Sequence, residues 1–127
     1  MLYELIENEQ VLSSVLGAVS QTEKSLLVVH SEFDESSVQP NQDYEDVLKN
    51  LIEKDVKITR YFHGPKEAFE KHRQSHSGIE YVLQAEEKFY QRAIIIDEKK
   101  AFFKVGNQFC YTEYKPLVDV LKNFLRA

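Results

Sequence analysis

Cysteine is nearly missing from this chain: Cys110 is the single one in 127 residues. A lone thiol excludes an intramolecular disulfide and fits a reducing compartment, so the cytoplasm is the expected location. Long apolar runs are missing too. None approaches the roughly 20 residues a helix needs to span a bilayer, so no membrane partner is expected. The first residues are acidic, unlike a secretory signal. Positive charge is in the minority, with 16 Lys and Arg against 21 Asp and Glu and a net charge of -5. Phosphate backbones are held by clustered Lys and Arg, so direct nucleic-acid binding is not expected from this balance. No internal repeat, low-complexity tract or linker interrupts the sequence, which reads as one domain over residues 1–127. The remaining composition, 43% hydrophobic and 29% charged, is that of an ordinary globular protein.

What is present is organised around residues 89–107, Phe-Tyr-Gln-Arg-Ala-Ile-Ile-Ile-Asp-Glu-Lys-Lys-Ala-Phe-Phe-Lys-Val-Gly-Asn. Ala93 to Ile96 is a short apolar run of the kind that suits a strand buried on both faces. Ala101 to Val105 reads as a second strand. The polar corner from Asp97 to Lys100 separates them, and Asp97 is suited to open a tight turn. Into this framework fall a phenol, a guanidinium, a carboxylate and a carboxamide: Tyr90, Arg92, Asp97 and Asn107.

The rest of the chain alternates strands and helices. Leu2 to Ile6 is expected to be a short strand. Asn8 is placed to cap a helix starting at Glu9, with Val11, Leu12, Val15, Leu16 and Val19 as its apolar stripe. Leu26 to Val29 reads as a buried strand, and residues 30–42 as a polar loop. Loops at the carboxyl ends of parallel strands are where α/β proteins place ligands, which brings His30 and Glu32 into consideration. Asp43 caps a second helix whose core face is Val47, Leu48, Leu51 and Ile52, with Tyr44 one turn earlier. Val56 to Phe62 is a strand carrying Arg60 and ending at His63-Gly64-Pro65, and Pro65 opens a short polar helix to about Arg73. The β-α-β order favours parallel pairing with a right-handed crossover. Ile79 to Leu83 and Gln108 to Thr112 add strands. A last helix runs from about Tyr114 to Phe124 with Leu117, Val120, Leu121 and Phe124 on its inner face. His72 and His76 stand at a metal-ligating spacing, but no acidic partner accompanies them, so no metal is expected. The architecture implied is α/β: a layered sandwich with a mixed sheet of about five to seven strands flanked by helices.

The spacing within residues 89–107 resembles the phospholipase D-like motif, His-x-Lys, four residues, Asp, six residues, then Gly-Ser-x-Asn. With Asp97 as anchor, Tyr90 takes the His position and Arg92 the Lys position. Lys104, Val105 and Asn107 take the Gly, Ser and Asn positions. The chain thus resembles a degenerate single half of that superfamily. It is also similar, in element order, to the C-terminal portion of TrmB-type archaeal transcription regulators. The resemblance implies a phospholipase D-like layered sandwich and, since active members bring two halves together, a homodimer. In the family the His attacks phosphorus. Tyr90 holds its proton at neutral pH and cannot shuttle one as imidazole does, so no catalytic residue and no cofactor are assigned.

The implied function is a non-catalytic ligand-sensing or dimerisation domain related to transcription-regulator effector domains. A small phosphodiesterase or nuclease with a rearranged site is the alternative. Candidate ligand-binding residues are Tyr90, Arg92, Asp97, Asn107, His30 and His63, and the ligand class is a small anionic or sugar-like molecule. Two readings of the central pair stand side by side. Either Arg92 faces a ligand, or Arg92 and Asp97 pair with one another while Tyr90 packs its ring in the core.

Overall fold

The buried strand pair around which the sequence is organised lies in the interior of the sheet, with its first strand in the middle position. The computed structural model describes residues 2–31, 42–74, 78–84 and 91–124. The strands are β1 (Glu4–Ile6), β2 (Ser25–Ser31), β3 (Lys57–His63), β4 (Ile79–Gln84), β5 (Ala93–Ile96), β6 (Lys100–Val105) and β7 (Gln108–Thr112). The helices are α1 (Val11–Ser20), α2 (Gln42–Glu53), α3 (Lys66–Arg73) and α4 (Lys115–Phe124). One seven-stranded sheet has the order β1-β7-β6-β5-β2-β3-β4. Strands β2, β3 and β4 are parallel, joined through α2 and α3, and the other pairings are antiparallel. The mixed α/β sheet expected from the sequence is therefore present.

Every residue of β5 is buried, which explains why Ala93-Ile94-Ile95-Ile96 shows no alternation. Its side chains divide between two cores. Ile94 and Ile96 face Val11, Val15 and Val19 of α1 and Leu48 and Leu51 of α2. Ala93 and Ile95 face Val118 and Leu121 of α4. The aromatic group Phe102, Phe103, Phe109 and Tyr111 serves these cores. Phe102 and Phe103 are buried, and Phe109 and Tyr111 pack against the α1–α2 side.

Two local expectations are corrected. Asn8 does not cap a helix: residues Asn8–Gln10 form a 3-10 turn, and α1 starts at Val11 with no side-chain cap. The tight turn uses backbone instead, Gln10 N–H donating to Glu7 O at 2.8 Å, which leaves the carboxamide without that task. The strand before the polar loop also continues to Ser31, so His30 belongs to β2 rather than to the loop. Glu32 lies outside the described residues.

The β5–β6 connection does more than reverse the chain. Asp97 and Glu98 both adopt left-handed backbone, with φ of 54° and 58°. Such a conformation costs a non-glycine residue on the order of 1 kcal/mol, and something must hold it. The Asp97 carboxylate accepts the backbone N–H groups of Lys24 (2.7 Å), Ser25 (3.1 Å) and Glu23 (3.1 Å). Asp97 N–H in turn donates to Ser25 O at 2.8 Å. On the other side of the sheet, Lys115 Nζ donates to Glu98 O at 3.0 Å and Lys122 pairs with the Glu98 carboxylate. The turn is thus tied to the α1–β2 junction and to α4.

Partial desolvation opposes ionisation of Asp97, but the Lys24, Ser25 and Glu23 amides outweigh it and hold its carboxyl below the usual range. A depressed folded-state pKa adds stability above the unfolded carboxyl value, and that stability is lost as pH falls through the folded one. Asp97→Asn should therefore lose about 1–3 kcal/mol near neutral pH. In urea titrations the deficit should shrink as pH falls below the ordinary carboxylate range, where the Asp97 carboxylate takes up its proton. A deficit that is the same at neutral and acidic pH would show that the carboxylate charge is not what ties the turn.

Candidate functional site

The carboxyl ends of the parallel strands and the start of β5 meet at one edge of the sheet. The β2–β5 ladder ends at Val28 opposite Ile94, and in β6 Phe103 lies opposite Ala93. Arg92 is the next residue out, opposite Lys104, whose N–H donates to Arg92 O at 3.2 Å. Gln91 Nε2 ties the two strand ends further, donating to Lys104 O at 2.8 Å. Continued in register, His30 of β2 stands across from the Arg92 position. Ser31 of β2 is paired with His63 of β3.

Side chains alternate along a strand, so Arg92 shares the α1–α2 side with Ile94 and Ile96. Arg60 follows Ile58 by two residues and shares that side as well. The guanidinium of Arg92 is partly buried, and its Nε and Nη1 are shut off from solvent with no hydrogen-bond partner among the described residues. Arg60 lies 5.8 Å from the centroid of the Tyr81 ring. Tyr44, in the first turn of α2, packs against the same core and hydrogen-bonds Arg60 through its side chain. Burial pushes the Tyr44 phenol up, while Arg60 and then Arg92 pull it down, which sets the phenol in the field of both cations. Among the described residues neither arginine has a carboxylate partner. Lys104 adds a third positive group beside Arg92, with its ammonium 5.8 Å from the Phe109 ring centroid.

The sequence-derived candidates separate on this geometry. Arg92 is at the edge, and its Nε and Nη1 lack a partner among the described residues. His30 and Asn107 are at the same edge, Asn107 exposed in the β6–β7 turn after Gly106, whose φ of 60° suits a two-residue hairpin loop. His63 is buried at the end of β3, but on the α4 side with Tyr61, the opposite side from Arg92. Asp97 is at the opposite edge: five strand residues put it about 16 Å from Arg92. Its carboxylate is filled by backbone amides. The Arg92–Asp97 pair is therefore not formed, and Asp97 is a turn residue rather than a ligand group. Tyr90 lies outside the described residues. Arg60 and Tyr44 were not among the candidates. The available signal was a charge at an inward position of a buried strand, and a phenol one turn ahead of an apolar stripe.

No protein-family model matches the chain, and no curated protein sequence matches it. Solved structures do. Over 99% of its length the chain superposes on TrmBL2, an archaeal chromatin protein, with a TM-score of 0.72 and 11% identity. The fold is phospholipase D-like. Nuc of Salmonella typhimurium, a phospholipase D family member, matches 98% of the chain with a TM-score of 0.67 and 12% identity. Polyphosphate kinase of Porphyromonas gingivalis matches 96% with a TM-score of 0.64 and 15% identity. The chain spans about half of the TrmBL2 chain (51%), 90% of the Nuc chain and 25% of the kinase chain.

This phospholipase D-like fold overturns one expectation. TrmBL2 is described by a novel mode of DNA binding, so a net charge of -5 does not exclude nucleic acid from a chain of this fold. Net charge sums the whole surface, whereas binding depends on local charge, and Arg60, Arg92 and Lys104 gather on one side of one edge. Among the described residues no helix is long and apolar enough to cross a membrane. No cluster of three or more His, Cys, Asp or Glu able to hold a metal occurs among them either.

Because Arg92 has no carboxylate partner among the described residues, removing it strands none of their carboxylates. Arg92→Met should change unfolding free energy by less than about 1 kcal/mol, against the roughly 3–5 kcal/mol expected on breaking a buried ion pair. Thermal denaturation in an anion-free buffer measures this directly. A loss in the larger range would show that the guanidinium is a structural group.

Proposed function

We propose that this chain is a non-catalytic, anion-sensing domain of phospholipase D-like fold, related to the effector portions of transcription regulators. One observation carries the reading: the Nε and Nη1 donors of Arg92 are buried and have no hydrogen-bond partner among the described residues. A buried donor left unpaired costs about 1–3 kcal/mol, more when charged, and such cost persists in folded proteins mainly at sites with an external partner. The planar guanidinium matches the oxygens of a phosphate or carboxylate. Arg92 also stands at the motif position where phospholipase D-like proteins have Lys.

Absence of catalysis rests on chemistry. Tyr90 occupies the nucleophile position, and a phenol near its usual pKa of about 10 neither attacks nor relays a proton readily at neutral pH. Assembly as a homodimer is proposed on the resemblance to a family whose active members bring two such halves together.

Titration of the purified protein with inorganic phosphate, followed by calorimetry, should show saturable binding that Arg92→Met abolishes. A model phosphodiester incubated with the protein should hydrolyse no faster than background. Hydrolysis that survives purification and vanishes in Tyr90→Phe would instead establish the phosphodiesterase reading. Light scattering should give about twice the chain mass of 14.9 kDa. A monomer at high concentration would exclude the dimer.

A further inference from the structure

Arg60 is the second guanidinium without a carboxylate partner among the described residues on the side of the sheet that carries Arg92. It has a phenol and an aromatic face as neighbours, Tyr44 by hydrogen bond and Tyr81 at 5.8 Å, and no ion pair among the described residues. Strand β3 offered an alternative at this position. The inward residues Ile58 and Phe62 on either side are apolar and buried, so an aliphatic side chain fits the pattern and a cation breaks it. Two half-buried positive charges that share one phenol repel one another, and that repulsion is relieved by an anion with charge for both.

Resting on the reading of Arg92 as an anion-binding group, we propose that the ligand carries a doubly charged phosphate terminus, a phosphomonoester or free phosphate, and that Arg60 selects it. A phosphodiester offers a single negative charge and must leave the site along two ester arms. A monoester at neutral pH carries close to two charges and leaves by one arm. In this arrangement Arg92 binds the first charge. Arg60 is handed from the neutral Tyr44 hydroxyl to the second, exchanging a neutral acceptor for a charged one, the stronger partner for a guanidinium. No bond is made or broken.

The test uses the whole chain and three probes at neutral pH: glycerol 3-phosphate, inorganic phosphate and dimethyl phosphate. Glycerol 3-phosphate should bind at least about tenfold more tightly than dimethyl phosphate, the affinity equivalent of one added charge-assisted contact. Arg60→Gln, which keeps a side chain able to hydrogen-bond Tyr44, should bring glycerol 3-phosphate down to the affinity of dimethyl phosphate. The diester itself should bind the variant and the wild type alike. Inorganic phosphate equal to the monoester identifies the phosphate group as the whole determinant, and a tighter monoester shows that its organic part is read too. Either result sits within the proposal. Equal affinity of wild type for monoester and diester would overturn it while leaving the Arg92 reading intact. Failure of wild type to bind any of the three would overturn both. The wild-type comparison stands even if Arg60→Gln does not fold.

Discussion

The grip of the Asp97 carboxylate on three consecutive backbone amides is the constraint from which the site follows. It joins the turn after β5 to the start of β2, where the antiparallel part of the sheet meets the parallel part. Period-2 alternation makes register decisive: a one-residue slip of β5 would exchange its two faces. With Asp97 fixed at one end of a four-residue strand, Ile94 and Ile96 go to the α1–α2 side, and so does Arg92 at the other end. The residue that looked like half of an ion pair is instead the anchor that places its supposed partner where no described carboxylate pairs with it. The motif spacing thus serves geometry at one edge and charge at the other.

That division separates stability from function along the strand. At the Asp97 edge the polar groups answer one another: carboxylate to amides, Glu98 to Lys122, and Glu98 O to Lys115. Left-handed backbone at two non-glycine residues is sustained there by those contacts. At the other edge, among the described residues, Arg92 has two buried donors without partners, and Arg60 has the Tyr44 phenol and the Tyr81 ring beside it. The described polar groups answer one another at one edge, and at the other two cations stand without a described carboxylate.

Strands and helices were legible wherever hydrophobic period or a breaker marked them. The apolar run of β5 and the proline at the start of α3 carry local physical signals, whereas the inner face expected of α4 held for Leu121 but not for Val120, which is exposed while Val118 is buried in its place. Helix α1 was misplaced at its start because an Asn before an acidic residue signals a cap, and the backbone used a 3-10 turn instead. The site was less legible. Arg92 and its edge could be read from motif spacing, and the strand read at Ala93–Ile96 already sets Asp97 about 16 Å away, although the pairing of the two was left open. Arg60 and Tyr44 are distant in sequence from each other and from Arg92, and only the parallel crossover through α2 brings them together. Net charge misled for a related reason, since it averages over edges of opposite character.

The most direct measurement of the central claim is the nuclear magnetic resonance signal of the Arg92 Nε–H group, assigned by comparison with Arg92→Met and followed during titration with inorganic phosphate. A donor shut off from solvent and without a partner among the described residues should move strongly downfield as it gains a charged acceptor, saturating along a single binding curve. The Asp97-bound amides of residues 23–25 should stay in place. An Arg92 Nε–H signal that does not move at saturating phosphate would contradict the claim that this guanidinium is held ready for an anion.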